Sequence, residues 1–229
     1  MIKIPNDIEA IISCDLETTG LDMHGACWIT GSFGKLDPQT LETIDELELE
    51  SRPYHWDEEA RRIHRISIHT ANKFPKRRES LDRLIEFVPK NRKFAFLCHA
   101  SKSSFNQETK IHVKAHFDLA MIKMDFDFQG RYFDFYKIFD ENKIISTVTI
   151  ARDLKLESAK LDNLCNSFNI KLDHHNCRSD RLACEELLRR FYFGQNNLFN
   201  VRERGSKLDP RILEIQRNKG LEEQQRFGV

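Results

Sequence analysis

Apolar residues in the first part of the chain fall into short runs of strand length that are separated by polar turns. Residues 8–14 form an almost continuously apolar run, which is typical of a buried strand. Thr43–Glu50 alternates between apolar and acidic side chains, as a strand with one exposed face does. With residues 26–33 between them, these segments predict an antiparallel meander of three strands.

The rest of the chain alternates between helical and strand patterns. Residues 93–98 and the β-branched run 144–150 predict a fourth and a fifth strand. Apolar positions at helical spacing predict helices over residues 57–63, 80–88, 116–124, 161–168 and 179–193, with Ser80 as an N-cap and Pro89 as a stop. Three strands followed by alternating helices and strands indicate an α/β fold with a mixed five-stranded sheet flanked by helices.

Two segments stand apart from this pattern. Residues 101–114 form a polar insertion that is long for a connection, and residues 196–229 form a polar C-terminal tail. We therefore expect one domain over residues 1–195 followed by the tail. The phenylalanine-rich stretch over residues 126–139 indicates core packing of a hairpin or a helix end, with base stacking as the alternative.

Composition excludes several classes of protein. The chain has 229 residues, of which 40% are hydrophobic and 31% charged, so it is neither disordered nor low in complexity. No apolar run approaches the roughly 18 residues of a membrane span, and the first residues do not form a signal peptide. The six cysteines contain no Cys-x-x-Cys pair, and residues 174–177 alone do not make a zinc site. We expect a cytoplasmic protein with reduced thiols and no membrane partner.

The net charge is zero, but the charges are unevenly distributed. Residues 1–59 carry fourteen acidic side chains and three basic ones, whereas residues 73–93 carry eight basic and three acidic ones. This separation suits a protein that gathers metal ions in one place and phosphates in another, although two solvated faces of opposite sign would give the same pattern.

The acidic region contains a pair of carboxylates with a defined spacing. Asp15 and Glu17 stand two positions apart at the end of the first predicted strand, so both side chains point to the same face. Two carboxylates held together repel each other, and a divalent cation with oxygen ligands relieves that repulsion. The pair therefore indicates a metal site, with Gly20 just beyond it at a sharp turn.

Three segments together resemble the motifs of the DEDDh (DnaQ-like) 3′→5′ exonucleases. They are Asp15-Leu-Glu-Thr-Thr-Gly20, Ala115-His-Phe-Asp118-Leu-Ala-Met-Ile122 and His175-Asn-Cys-Arg-Ser-Asp180. They occur in the order and at the separations of that family, and the resemblance spans about residues 8–193. It implies an RNase H-like fold and the removal of nucleoside 5′-monophosphates from the 3′ end of a nucleic acid.

The resemblance assigns roles residue by residue. The residues that match the family's metal ligands are Asp15, Glu17, Asp118 and Asp180, which would hold two Mg²⁺ or Mn²⁺ ions. His175 matches the general base because it stands five positions before the last aspartate, whereas His174 does not. Thr18 matches a position that contacts the terminal nucleotide, and Leu21 lies near the position that packs on its base.

The chain also departs from the family pattern. The family's block of His-Asn-Ala followed by Phe-Asp is split here into Cys98-His99-Ala100 and the segment ending at Asp118, with the insertion between the halves. Arg181 stands where a small residue is usual, and it would either meet a phosphate or project into solvent.

The substrate is expected to be DNA, in proofreading or 3′-end trimming during replication or repair, because the first motif resembles the epsilon-type branch of the family. The alternatives are an RNA 3′-end-processing exoribonuclease and a non-catalytic module that only binds nucleic acid. The segment Gln195-Asn-Asn-Leu-Phe199 resembles the peptide by which bacterial replication proteins bind the sliding clamp, and it predicts that clamp as a further partner.

Overall fold

A five-stranded mixed sheet forms the centre of the protein. The computed structural model describes residues 4–21, 25–100, 104–105, 112–113 and 116–194. Within these ranges the strands are β1 (Ala10–Thr18), β2 (Trp28–Leu36), β3 (Thr43–Glu50), β4 (Phe94–Cys98), β5 (Ser104–Phe105), β6 (His112–Val113) and β7 (Ile144–Ser146). The large sheet has the order β3-β2-β1-β4-β7, while β5 and β6 pair only with each other. Strands β1, β2 and β3 are antiparallel, whereas β4 runs parallel to both β1 and β7. The predicted fold class is confirmed.

Eight helices lie within the described residues. They are α1 (Glu58–His64), α2 (Ile68–Ala71), α3 (Arg77–Phe87), α4 (Phe117–Phe128), α5 (Tyr132–Ile138), α6 (Thr147–Asp153), α7 (Leu161–Ser167) and α8 (Cys177–Phe193). None of these helices is long and apolar enough to cross a membrane.

Each face of the sheet is covered by its own hydrophobic cluster. Successive side chains of β1 point to opposite faces, so Ile12 and Cys14 join one cluster while Ile11 joins the other. The first cluster contains apolar side chains of α3, α4 and α5, and the second contains those of α6, α7 and α8. Strand β1 is therefore buried on both faces, which explains its nearly continuous apolar run.

Two local predictions are wrong. The β-branched run 144–150 forms a strand only as far as Ser146, after which α6 begins. The Ser146 side chain accepts a hydrogen bond from the backbone N–H of Thr149 at 3.1 Å, and this N-cap starts the helix despite the β-branched residues. Ser80 lies inside α3, whose N-cap is Lys76, and its hydroxyl donates to the carbonyl oxygen of Glu50 at 2.6 Å instead of capping the helix.

The phenylalanine-rich stretch forms the corner between α4 and α5. Phe126, Phe135 and Phe139 are buried and contact one another edge-on or stacked, as the core-packing interpretation expects. Phe128 and Phe133 are exposed. The segment 195–199 and the tail 196–229 lie outside the described residues, as does most of the insertion 101–114.

A fully buried ion pair fixes α8 against the sheet. Arg181 and Glu185 are both inaccessible to solvent and contact each other one helical turn apart. Glu185 accepts hydrogen bonds from Ser13 of β1 at 2.5 Å and from Thr43 of β3 at 2.7 Å, while Arg181 donates to Ser32 of β2 at 2.7 Å. Arg181 therefore reaches neither phosphate nor solvent, and both expectations for it are wrong.

Gly34 of β2 makes room for this pair. A Cβ at this position would overlap the side chains of Arg181, Glu185 and Ser13. The arginine side chain occupies the space beside Gly34, so the glycine and the arginine depend on each other.

The first prediction concerns the stability of this pair. Glu185→Leu leaves the buried Arg181 charge with only its longer contact to Glu46 at 3.3 Å, so we expect the free energy of unfolding to fall by about 3 kcal/mol. The double variant Arg181→Met/Glu185→Leu removes both charges and should recover most of that loss. Urea unfolding of the two variants measures the difference, and a double variant as unstable as the single one would contradict the argument.

Candidate active site

The first two candidate ligands lie where β1 extends beyond its neighbour. Strand β1 pairs with β4 only from Ala10 to Ser13, whereas its pairing with β2 continues to Thr18. Asp15 and Glu17 therefore occupy a part of β1 that pairs with β2 but extends beyond its pairing with β4. They share the face of β1 on which Ser13 contacts α8, as their spacing of two residues requires.

Asp118 approaches the same place from the first turn of α4. Its side chain is only 7% exposed, and its carboxylate accepts a hydrogen bond from the backbone N–H of Leu16. Leu16 stands between Asp15 and Glu17, so this bond fixes the start of α4 to the part of β1 that carries both.

Asp180 reaches the site from the first turn of α8. Asn176 caps that helix by accepting a hydrogen bond from the backbone N–H of Ser179 at 3.2 Å. The Oδ2 atom of Asp180 accepts the backbone N–H of His175 at 3.2 Å, and its Oδ1 atom is buried without a hydrogen-bond partner in the described part of the chain. His175 adopts a left-handed backbone conformation with φ of 67°, which turns its N–H back towards the helix.

The four carboxylates interact with one another. We call Asp15, Glu17, Asp118 and Asp180 the carboxylate cluster. Burial raises the pKa of Asp15 well above its ordinary value, and the charges of the other three raise it further. Burial, followed by the charges of Asp180 and Asp118, raises the pKa of Glu17 to about 8. Burial also raises the pKa of Asp118 to about 7 and raises that of Asp180.

No cation among the described residues neutralises this cluster. None of the ion pairs found in those ranges includes any of the four carboxylates. Burial therefore raises the pKa values of the four carboxyl groups, and no ion-paired side chain in those ranges lowers them.

The oxygen atoms of the carboxylate cluster are suitable ligands for divalent cations. Carboxylate oxygens are the ligands that Mg²⁺ and Mn²⁺ prefer, and the unpartnered buried Oδ1 of Asp180 has the character of a ligand atom without its metal. Within the described ranges no three His, Cys, Asp or Glu side chains enclose a metal position by themselves. The four carboxylates are thus close enough to interact electrostatically without closing around one point.

The two adjacent histidines lie at the edge of the cluster. The rings of His174 and His175 stack with their centroids 4.0 Å apart. Burial lowers the pKa of His175, and the neighbouring His174 and Arg65 lower it further, so His175 is neutral at pH 7. A cleft of about 930 Å³ opens beside Asp15 and Asp180, and of the two adjacent histidines it is His174 that lines it.

Thr18 and Leu21 lie beyond the carboxylates along the chain. The Thr18 hydroxyl donates to the carbonyl oxygen of Gly20 at 2.8 Å, which shapes the turn that follows β1. Leu21 is 76% exposed, so its side chain is free to contact another molecule. Neither residue lines the cleft beside Asp15 and Asp180.

The interrupted family motif is reassembled in space. His116 Nδ1 donates to the carbonyl oxygen of Ala100 at 3.0 Å, and the Ser146 hydroxyl donates to the same oxygen at 2.6 Å. The two ends of the insertion are therefore bonded side by side, and Asp118 keeps its place although residues 101–114 separate it from His99.

Sequence reasoning missed part of the cleft lining. His99, Arg152 and Lys160 line the cleft together with Asp15 and Asp180. His99 could have been found from its place in the first half of the split motif. Arg152 and Lys160 had no signal in the sequence, because charged residues at helix ends are usually solvated.

Comparisons with known proteins give a consistent fold. No protein-family model and no curated protein sequence matches the chain. Exonuclease I from Methylocaldum szegediense has a similar structure, with a TM-score of 0.63, 19% identity, and coverage of 84% of this chain and 42% of that one. The zinc-bound E. coli exonuclease I complex with single-stranded DNA has a TM-score of 0.62 and 16% identity, with 85% and 42% coverage.

A third structure of exonuclease I, described as suggesting how processivity is achieved, has a TM-score of 0.64 and 15% identity. It covers 90% of this chain and 43% of its own. The chain thus spans less than half the length of these exonuclease I chains. At this level of identity the likeness concerns the fold alone, and the protein has the RNase H-like α/β fold of exonuclease I.

Proposed function

We propose that the protein is a metal-dependent 3′→5′ exonuclease that releases nucleoside 5′-monophosphates from DNA. The observation that carries this proposal is the convergence of four carboxylates from β1, α4 and α8, with raised pKa values and no cationic partner among the described residues. A protein that only bound nucleic acid would have no use for such a mutually repelling cluster, which lowers stability when it is ionised.

The carboxylates would hold the metal ions on which the chemistry depends. Two bound Mg²⁺ or Mn²⁺ ions would offset the charge of the cluster and stabilise the negative charge on the reacting phosphate. Asp15 and Asp180 line the cleft, so the scissile phosphate would lie on that side of the cluster.

The protein's own groups would then orient the reactants. The neutral imidazole of His175 would accept the proton of the attacking water, because its lowered pKa keeps a nitrogen lone pair free at pH 7. The backbone at Thr18 and the exposed side chain of Leu21 would contact the terminal nucleoside, as the family resemblance implies.

DNA is the proposed substrate class. Two of the structurally similar proteins are described as complexes of exonuclease I with single-stranded DNA and with a dT13 oligonucleotide. The same chemistry would also cleave RNA, so the assay that tests the proposal includes both nucleic acids.

The second prediction tests the reaction itself. With Mg²⁺ or Mn²⁺, 5′-labelled single-stranded DNA should shorten stepwise from its 3′ end, and excess EDTA should stop the reaction. Asp118→Asn should lower the rate by about 10³-fold or more, because a lost ligand removes several kcal/mol of charge stabilisation. Asp127→Asn is the matched control, since Asp127 is exposed on the same helix.

Denaturing gels with DNA and RNA substrates measure this reaction. Faster cleavage of RNA than of DNA would make the protein an exoribonuclease. If the protein binds the strands without shortening them, it is a binding module and the proposal is overturned.

The third prediction assigns the base. His175→Ala should lower kcat by about 10²–10⁴-fold while leaving metal binding largely intact. His174→Ala is the matched control, because the two rings stack on each other and only one is proposed to accept the proton. Single-turnover rates over a range of pH measure both variants. A large loss in the His174 variant together with a small loss in the His175 variant would transfer the role of base to His174.

The fourth prediction concerns pH and metal. Folding raises the pKa of Glu17 to about 8 and that of Asp118 to about 7, so the folded state binds more protons than the unfolded chain between about pH 4 and 8. In EDTA, stability should therefore fall as the pH rises through this range, by up to about 1.4 kcal/mol per pH unit for each group.

Excess Mg²⁺ or Mn²⁺ should reduce that fall, because metal binds the ionised carboxylates of the folded state. Thermal unfolding at several pH values measures both effects, and Glu17→Gln should flatten the dependence in EDTA. The proposed site would be contradicted by a melting temperature that rises with pH in EDTA, or by one that neither Mg²⁺ nor Mn²⁺ changes.

A further inference from the structure

One wall of the cleft is not used by the proposed chemistry. Asp15 and Asp180 line the cleft from β1 and α8, while Arg152 and Lys160 line the wall formed by the end of α6 and the connection to α7. The cleft, at about 930 Å³, is larger than one phosphate group requires. It therefore has room for a stretch of nucleic-acid backbone beside the reacting group.

The two cations on this wall are available to an anion. Both side chains are exposed, and neither takes part in any ion pair found in the described ranges. Glu157 and Asp162 line the same wall, so it is not a uniformly basic surface. Because its charges are mixed, this wall is better suited to bind one anion at the two cations than to attract polyanions nonspecifically.

His99 holds this wall against the end of β4. Its Nδ1 atom lies 2.7 Å from the hydroxyl of Thr147, and its ring also hydrogen-bonds to the backbone of Ala159. Burial lowers the pKa of His99 to about 4, so the ring is neutral. A neutral ring donates one hydrogen bond and accepts one, which matches a carbonyl on one side and a hydroxyl on the other. The segment that carries Arg152 and Lys160 is thus fixed before any ligand arrives.

The direction of the strand identifies the ligand. The proposed contacts of the terminal nucleoside, Thr18 and Leu21, are absent from the cleft lining. A strand whose scissile phosphate lies at Asp15 and Asp180 must continue from that phosphate in the direction away from its terminal nucleoside. The cleft then receives the next part of the strand, and grooves that follow single strands contact the backbone through basic side chains.

We propose that Arg152 and Lys160 form a subsite for the phosphodiester that precedes the scissile one in a single-stranded nucleic acid. The inference rests on the proposed exonuclease function. It adds that the protein binds more of the strand than the terminal nucleotide. Strands with at least two phosphodiesters are therefore better substrates than esters that contain only the scissile one.

Two substrates separate this subsite from the reaction centre. The p-nitrophenyl ester of thymidine 5′-monophosphate carries a terminal nucleoside and a scissile phosphate but no second phosphodiester, whereas a short oligothymidylate carries several. Arg152→Gln and Lys160→Gln should each lower kcat/KM on the oligonucleotide about tenfold, mainly through KM. Each should change the rate of ester hydrolysis by less than about twofold. Each should also reduce, by about one, the slope of the logarithm of the oligonucleotide binding constant against the logarithm of the salt concentration.

Lys137→Gln is the matched control, because Lys137 is an exposed lysine of α5 outside the cleft lining. Equal losses on both substrates would overturn the subsite, since they would place the cations at the scissile phosphate. Losses on neither substrate, or equal losses in the control, would overturn it as well.

A wild-type protein that hydrolyses neither substrate would refute the proposed function instead. In that case the anisotropy of a fluorescent oligothymidylate tests the cleft directly. The subsite survives only if Arg152→Gln and Lys160→Gln weaken binding more than Lys137→Gln does.

Discussion

The repulsion among four carboxylates is the constraint on which the rest of this structure depends. Asp15, Glu17, Asp118 and Asp180 come from three separate elements. Burial raises the pKa of all four, and the charges of neighbouring members raise those of Asp15 and Glu17 further, so the cluster would separate if those elements could move. Desolvation adds to the cost, because Asp118 and Asp180 are buried. The remainder of the fold must hold these groups together until cations are bound.

Two buried ion pairs supply that restraint. Arg77 of α3 pairs with Asp125 of α4, two helical turns beyond Asp118, and Arg77 also donates to the carbonyl oxygens of Trp28 and Arg52 at 3.0 Å. On the other face of the sheet, Arg181 and Glu185 fix α8 directly after Asp180. Each helix that carries a single cluster aspartate is therefore held by a charge pair deep in the protein. Directional bonds of this kind fix the position of a helix along the sheet, which apolar packing alone restricts less.

The cleft connects this restraint to the proposed function. Its floor contains Asp15 and Asp180, and its wall is the α6–α7 connection that His99 holds in place. The insertion lies between two bonded ends, Ala100 and His116, so it leaves the position of Asp118 undisturbed. The chain thereby combines the fold of exonuclease I with a buried arginine after the last aspartate and two cations in the lining of the cleft that also contains Asp15 and Asp180.

The sequence by itself determined the strand meander and the order of most elements, and it predicted the four carboxylates that the structure brings within electrostatic reach of one another. These features follow from local rules: the alternation of β3, the spacing of two between Asp15 and Glu17, and motifs that are short and contiguous. The strand predicted over 144–150 failed because a single N-cap, Ser146, outweighed the β preference of the residues after it. Only the tertiary structure decided that Arg181 is buried, that His174 rather than His175 lines the cleft, and that Arg152 and Lys160 line the same cleft as Asp15 and Asp180. Each depends on side chains that are far apart in the sequence, and one chain alone carries no signal for which charged residue finds a partner across the fold and which remains free for a ligand.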